Sequence, residues 1–170
     1  KRSGVCVACK RFYEEFKFKS REVERQKVLE ERIAKQKSIY DCVIPVSGGK
    51  DSTWQTVKAL EMGLRPLCVT WRTPKRTQIG EQNLQNLIGL GVDHIDFSIN
   101  PNTQRLLTKK AFEKVGIPAL PMHLALFSIP TKIALHYGIN LILWGENSAL
   151  EYGGEEDYAN LKLLSRDWLK

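Results

Sequence analysis

Short apolar runs alternate with longer helical stretches between residues 40 and 144, and this alternation restricts the fold more than any other feature of the sequence. The apolar runs have the length of strands and lie at residues 40–46, 65–71, 93–98 and 140–144. The helical stretches lie at residues 52–62, 78–90, 102–115 and 121–137, the last with Pro130 inside it as a kink or a restart. Strands and helices in this order predict an α/β fold, a parallel sheet with helices on both faces.

The 170-residue chain changes in composition near residue 38. Residues 1–37 carry 12 Lys or Arg and 6 Glu, so most of the net charge of +7 lies there. Residues 10–37 contain no Pro or Gly and predict a long, mostly exposed, charged helix. The remainder is nearly neutral, which argues against nucleic acid as a partner. We therefore predict a Cys-x-x-Cys knuckle with the charged helix over 1–37, followed by a globular domain over 38–170.

Membrane insertion and secretion find no support in the hydropathy pattern. The sequence has no run of about 18 apolar residues and no apolar N-terminal stretch, so we expect neither a transmembrane helix nor a signal peptide. We expect a cytoplasmic location, where reducing conditions disfavour disulfides. Because the sequence begins at Lys1 and ends at Lys170 without a polar tail, we also expect it to be part of a longer polypeptide.

The four cysteines fall into two groups. Cys42 and Cys68 lie inside apolar runs and are predicted to be buried strand residues that act as small hydrophobic side chains. Cys6 and Cys9 form a Cys-x-x-Cys pair after a glycine, which is half of a tetrahedral zinc site. Either a second pair outside this sequence completes the site, or Cys6 and Cys9 bind no metal here.

A glycine-rich loop with the sequence Ser-Gly-Gly-Lys-Asp-Ser joins the first predicted strand to its helix at residues 47–52. Its glycines allow close approach of a ligand, and the N–H groups at the start of the helix favour an anion. Ser47 and Ser52 add hydroxyl donors, and Lys50 adds a cation. Asp51 is acidic in a site suited to anions, which makes sense if Mg²⁺ bridges it to phosphate. The loop is not a Walker A motif, and a chance turn is the alternative interpretation.

The same edge of the predicted sheet carries further polar groups. Ligands in such folds bind at the carboxyl ends of the strands, where Val69-Thr70-Trp71 ends the second strand and Gly145-Glu146-Asn147 ends the fourth. Asp51 and Glu146 would then be neighbouring acids able to share a metal. Pro45 is unexpected in this position, because it removes a ladder N–H from a strand predicted to lie inside the sheet.

The glycine loop and several other segments resemble known families. The loop matches the pyrophosphate loop of the PP-loop ATP pyrophosphatases, which have an adenine nucleotide alpha hydrolase-like fold and cleave ATP to AMP and pyrophosphate. The chain is also similar to the N-acetyl sugar amidotransferases of bacterial surface-polysaccharide (LPS, O-antigen) biosynthesis, in residues 4–9, 40–52, 83–87, 91–93, 144–147 and 151–154. The stretch Trp-Gly-Glu-Asn…Glu-Tyr-Gly-Gly is the most specific part. The family is longer at both ends, so zinc binding and full activity of this chain stay open.

The resemblance implies a role for each matching residue. It implies ATP binding by Ser47, Gly48, Gly49, Lys50, Asp51, Ser52, Val69, Thr70, Trp71 and Gly145. It implies binding of the sugar substrate by Glu146, Asn147, Glu151, Tyr152, Gly153 and Gly154. It implies catalysis by Lys50, Asp51 and Glu146, magnesium at Asp51 and a partial zinc site at Cys6 and Cys9. Trp71 either stacks on adenine or packs at the sheet edge.

The reaction implied by the resemblance has two steps. The acetamido oxygen of a nucleotide-linked N-acetyl sugar attacks the α-phosphorus of ATP, and ammonia then displaces AMP to give an acetamidino group. No part of the chain resembles a glutaminase, so a glutaminase/synthase pair is the implied partner that supplies ammonia. Of the isolated histidines, His94 and His136 are interpreted as structural, and His123 is a candidate for lining the site. A PP-loop tRNA-thiolation ATPase and a nucleotide- or partner-binding module without turnover remain alternatives.

Overall fold

The computed structural model describes residues 22–34, 37–73 and 75–145. The first described element is the helix α1, Glu22–Ala34, which lies within the charged helix predicted over residues 10–37. Leu29 and Ile33 are half-buried, whereas Val28 is exposed. Residues 31–145 belong to one compact unit, and residues 22–30 belong to another. The predicted domain boundary at residue 37 stays a prediction.

The elements after α1 follow the predicted alternation of strand and helix. They are β1 Cys42–Pro45, α2 Lys50–Glu61, β2 Pro66–Trp71, α3 Gln78–Ile88, β3 Asp93–Phe97, α4 Pro101–Val115 and α5 Leu120–His136. The helix α2 begins at Lys50, two residues before the predicted start, and α5 continues through Pro130 without restarting. Among the described residues, no helix has the length and apolar character needed to cross a membrane.

The sheet is parallel, with β2 between β1 and β3. The segment predicted as a fourth strand, 140–144, joins the free edge of β1 through a single parallel bridge between Val43 and Ile142. The Val43 N–H donates to the Leu141 carbonyl over 2.9 Å, and the Leu143 N–H donates to the Val43 carbonyl over 2.9 Å. The prediction of a full fourth strand was therefore wrong in extent. The position beside β1 makes the carboxyl end of β1 the point where the strand order reverses, which is where such sheets bind ligands.

Both faces of the sheet are covered, as the sequence predicted. On one face, alternate residues of β1 pack against residues of α2 and α3, in a cluster that includes Cys42, Ile44, Ala59, Leu84 and Leu87. On the opposite face, β1 and β2 pack against α5, in a cluster that includes Val43, Leu67, Val69, Trp71, Ala125 and Ile129. Because side chains of a strand alternate between faces, these two clusters follow directly from uninterrupted apolar runs in β1 and β2.

The two strand cysteines lie in this core, as predicted. Cys42 and Cys68 are fully buried. Burial raises the pKa of the Cys42 thiol to about 12 and that of the Cys68 thiol to about 11. Since the thiolate is the reactive form of cysteine, both residues are chemically inert packing groups near neutral pH.

Candidate functional site

The glycine loop between β1 and α2 lies directly against the backbone of α3. Gly48 is buried and has a φ of 80°. A Cβ added at Gly48 would lie 2.8 Å from the backbone nitrogen of Leu84 and 3.1 Å from the carbonyl carbon of Asn83. Glycine is required here on two grounds, the left-handed backbone conformation and the space left by α3.

Hydrogen bonds within the loop involve both of its serines. The Ser52 hydroxyl donates to the Gly49 carbonyl over 3.2 Å and accepts from the Ser47 N–H over 3.4 Å. The Ser47 hydroxyl accepts from the Gly49 N–H over 3.3 Å, which leaves its own proton available. Ser52 is therefore an internal brace of the loop, whereas Ser47, which is exposed, is the serine whose hydroxyl can donate to a ligand.

The N-terminus of α2 opens onto the loop. Gly49 is the N-cap residue and makes no side-chain capping hydrogen bond. At the starts of α3 and α4, by contrast, the side chains of Thr77 and Asn100 accept from backbone N–H groups. The N–H groups in the first turn of α2 have no intrahelical acceptor, and the helix dipole places partial positive charge there. This end of α2 therefore suits a bound anion such as phosphate.

Lys50 and Asp51 are the charged residues of the loop and lie in the first turn of α2 rather than before it. The Lys50 Nζ is 2.6 Å from the Asp51 Oδ1, and the two side chains are 88% and 70% exposed. An ion pair with this much exposure contributes little to stability, so either group can exchange its partner for a ligand at low cost.

A magnesium ion fits this loop only together with phosphate. Within the described part of the chain, no group of three or more His, Cys, Asp or Glu side chains can hold a metal ion. Mg²⁺ usually binds through one or two carboxylates plus substrate phosphates and water. Asp51 supplies one such carboxylate beside the anion-binding end of α2, and Glu146, the predicted second acid, lies outside the described residues.

The end of β2 is hydrogen-bonded to Val46, the residue immediately before the loop. The Val69 carbonyl accepts from the Val46 N–H over 2.9 Å, and the Thr70 hydroxyl donates to the Val46 carbonyl over 2.7 Å. The Thr70 Oγ1 is also 2.9 Å from His94 Nε2. Since the one hydroxyl proton of Thr70 goes to Val46, this contact requires a proton on Nε2 of His94. Burial lowers the pKa of His94, and the negative charge of Asp96 offsets part of this effect. The lowered pKa favours the neutral ring. Val69, Thr70 and His94 therefore brace the loop.

Trp71 packs against α5 in the sheet core and is 8% exposed. The indole packs in the core on the central strand β2, and stacking on adenine stays a prediction. Its indole Nε1 is buried and has no hydrogen-bond partner among the described residues. A buried donor without an acceptor is costly to the stability of the fold.

A group of ion pairs between β3 and the start of α3 was not predicted from the sequence. Arg76 donates from both terminal nitrogens to Asp96 over 3.0 and 2.9 Å and also to Glu81 over 2.9 Å, and Arg72 donates to Asp96 over 2.8 Å. Burial by itself would raise the pKa of Asp96, but the hydrogen bonds from Arg76 and Arg72 outweigh it and lower that pKa. Arg76 thus ties β3 to the start of α3, the helix that touches Gly48. We call this group of ion pairs the clamp. Asp96, an acidic residue within the sequence of β3, is the signal that could have indicated it.

The fourth segment reaches the same edge of the sheet at Gly145. A Cβ added at Gly145 would lie 3.4 Å from the Gln55 Oε1, a buried oxygen that has no hydrogen-bond partner within residues 22–34, 37–73 and 75–145. The histidine proposed to line the site, His123, is exposed near the start of α5. The remaining predicted site residues lie outside the described residues: Cys6, Cys9, Glu146, Asn147, Glu151, Tyr152, Gly153 and Gly154.

Comparison with known proteins gives a fold and no family. No protein-family model matches the chain, and no curated protein matches it. One solved structure that matches is the NMN synthetase from Francisella tularensis, with 19% sequence identity and a TM-score of 0.56. The match covers 73% of this chain and 53% of that protein, so the chain spans about half of its length. At this identity the similarity confirms the predicted α/β fold and carries no further assignment.

Proposed function

We propose that this chain binds ATP through the glycine loop and supports cleavage between the α- and β-phosphates, with transfer of the adenylyl group to a substrate. The observation that carries the proposal is the start of α2, which has no side-chain cap and meets the glycine loop at the carboxyl edge of a parallel sheet. Such a loop holds phosphate oxygens with backbone N–H groups. The similarity in fold to an NMN synthetase is consistent with this proposal.

The substrate we propose is the acetamido group of a nucleotide-linked N-acetyl sugar destined for surface polysaccharide. Its oxygen attacks the α-phosphorus, the bond from the α-phosphorus to the bridging oxygen breaks, and pyrophosphate leaves. Ammonia then adds to the activated carbon, AMP leaves with the oxygen, and loss of a proton gives the acetamidino group. Adenylation is needed because an amide oxygen is by itself a poor leaving group. The similarity of residues 144–147 and 151–154 to the amidotransferases supports this choice of substrate.

The described residues suit a reaction that depends on positioning and charge. Lys50 is exposed beside the helix N-terminus, where it can pair with phosphate oxygens in place of Asp51. Asp51 can then hold Mg²⁺, which supplies charge neutralisation on the leaving pyrophosphate when bound. Fixed donors directed at developing charge are the main source of rate acceleration in such sites. We propose Glu146 as the second acid and residues 151–154 as the sugar-binding segment.

The remaining parts of the proposal concern partners and location. Ammonia would come from a separate glutaminase/synthase pair, the protein would work in the cytoplasm, and Cys6 and Cys9 would supply half of a zinc site. The near-neutral charge of residues 38–170 supports a small nucleotide sugar as substrate in preference to RNA.

The test is product analysis with ATP, Mg²⁺, ammonium and a panel of nucleotide-linked N-acetyl sugars. We expect AMP and pyrophosphate in amounts equal to the amidine formed, and we expect Lys50→Ala to reduce turnover at least about tenfold, the equivalent of one charge-assisted hydrogen bond. Lys109→Ala is the matched control, because Lys109 is an exposed lysine paired with Glu113 on α4.

Other products would contradict the proposal at distinct levels. Release of ADP in place of AMP would refute cleavage between the α- and β-phosphates. AMP formation that depends on tRNA and not on the sugar would favour the thiolation alternative. Saturable ATP binding without turnover, in the presence of the ammonia-supplying partner, would favour the alternative in which the chain is a binding module without catalytic activity.

A further inference from the structure

Pro45 stands at the position in β1 that would extend pairing to the fourth segment. Along a strand, the N–H and carbonyl of one residue point to the same neighbour, and the next residue points to the opposite one. Val43 directs both groups toward the fourth segment, since it bonds to Leu141 and Leu143. Pro45 therefore faces the same way, and its nitrogen is the atom that would donate to the Leu143 carbonyl. Proline has no N–H, so this rung cannot form.

The missing rung removes one of the two hydrogen bonds that the next bridge to β1 would need. Beyond Leu143, among the described residues, no backbone hydrogen bond joins the fourth segment to β1. The Trp144 ring packs on Phe127 of α5 at a centroid distance of 5.0 Å, and Gly145 approaches the Gln55 side chain of α2. The hydrogen-bonded pairing with β1 thus ends just before the glycine loop begins.

We propose that Pro45 is a positioning residue that keeps the crevice between β1 and the fourth segment open for a nucleotide. The inference deepens the proposed function and rests on it for the identity of the ligand. Without the rung, the Leu143 carbonyl has no ladder donor, and no other donor among the described residues takes that place. It is left facing the crevice as an acceptor for a hydroxyl or amino group of the nucleoside part. An N–H restored at residue 45 would donate to the Leu143 carbonyl and extend the pairing of the fourth segment with β1.

The test compares Pro45→Ala with Pro101→Ala. Pro101 is the exposed first residue of α4, where no N–H is needed, so its substitution reports only the greater freedom of the unfolded chain. In Pro45→Ala, we expect the new amide at residue 45 to exchange with solvent about five- to tenfold more slowly than an unpaired strand amide, as one added hydrogen bond implies. Pro45→Val repeats the measurement with a better strand former.

The nucleotide arm measures KM for ATP and kcat in the full-length protein. We expect Pro45→Ala to raise KM about tenfold with a smaller change in kcat, while its unfolding midpoint is no lower than that of Pro101→Ala. A merely structural proline would give the opposite, a lower midpoint and an unchanged KM. If the amide of residue 45 exchanges with solvent as fast as an unpaired strand amide in both Pro45→Ala and Pro45→Val, the inference is overturned. If the wild-type protein binds no ATP, the proposed function fails, and the exchange result alone decides whether Pro45 stops the ladder.

Discussion

Replacement of Gly48 by Ala tests whether the glycine loop depends on direct contact with the backbone of α3. Two costs act together at this position. A φ of 80° places an alanine in the left-handed region, which costs about 1–2 kcal/mol. The added Cβ would also lie 2.8 Å from the Leu84 nitrogen, and relief of such crowding by backbone shifts costs about 1–3 kcal/mol. We therefore expect Gly48→Ala to lower the free energy of unfolding by about 2–5 kcal/mol.

Gly63→Ala separates the two costs. Gly63 has a φ of 75°, close to that of Gly48, but a Cβ there would meet nothing within 4 Å. This control should lose about 1–2 kcal/mol, the cost of the backbone conformation alone. The excess loss in Gly48→Ala then measures the contact with α3.

Urea denaturation of both variants gives the comparison, with the midpoint and the slope fitted separately. Equal losses in Gly48→Ala and Gly63→Ala would show that α3 does not press on the loop. We also expect Gly48→Ala to weaken ATP binding, measured by equilibrium dialysis, because movement away from α3 shifts the N–H groups that face the ligand. Unchanged affinity in a folded Gly48→Ala protein would refute this part of the reasoning.

Two further predictions concern Asp96, which pairs with Arg76 and Arg72, and Thr70, which braces the loop. The pKa of Asp96 is lowered in the folded protein. The stabilisation by the Asp96 carboxylate should therefore be complete above the ordinary aspartate pKa of about 3.9, and it should be lost as the pH falls through the lower folded value. Asp96→Asn should remove this pH dependence when acid unfolding is followed by circular dichroism. Thr70→Val should speed amide exchange in the loop and weaken ATP binding about three- to tenfold, and Thr70→Ser should restore both. Thr131→Val, which removes a 2.8 Å hydrogen bond on α5, should change neither, and equal effects of the two valine variants would contradict the bracing role.

The arrangement of strands and helices follows from local patterns, and for that reason it could be predicted. Uninterrupted apolar runs require burial on both faces, and the clusters around Ile44 and Val69 show that burial. The start of α2 was placed too late because glycine, which gives no side-chain cap, is a weak signal for a helix start, and so Lys50 and Asp51 were assigned to the loop.

The clamp and the shortened fourth strand depend on contacts that no local pattern contains. Arg76 and Asp96 are 20 residues apart and meet only because β3 lies beside β2. Pro45 was recognised as unusual, but its effect depends on which neighbour its nitrogen faces, and that direction is fixed by pairing with a segment about 100 residues later. The site residues from Glu146 onward lie outside the described residues and stay predictions.

The contact between Gly48 and α3 joins main chain to main chain, and this has a consequence for how the sequence can vary. Side-chain substitutions at Asn83, whose side chain is exposed, leave the atoms that touch Gly48 in place. Exposed side chains of α3 can therefore be substituted during evolution without a change in the contact with the loop. An inserted or deleted residue between β2 and α3 would instead rotate a different stretch of the helix toward Gly48, so the length of that connection should tolerate far less drift than its composition.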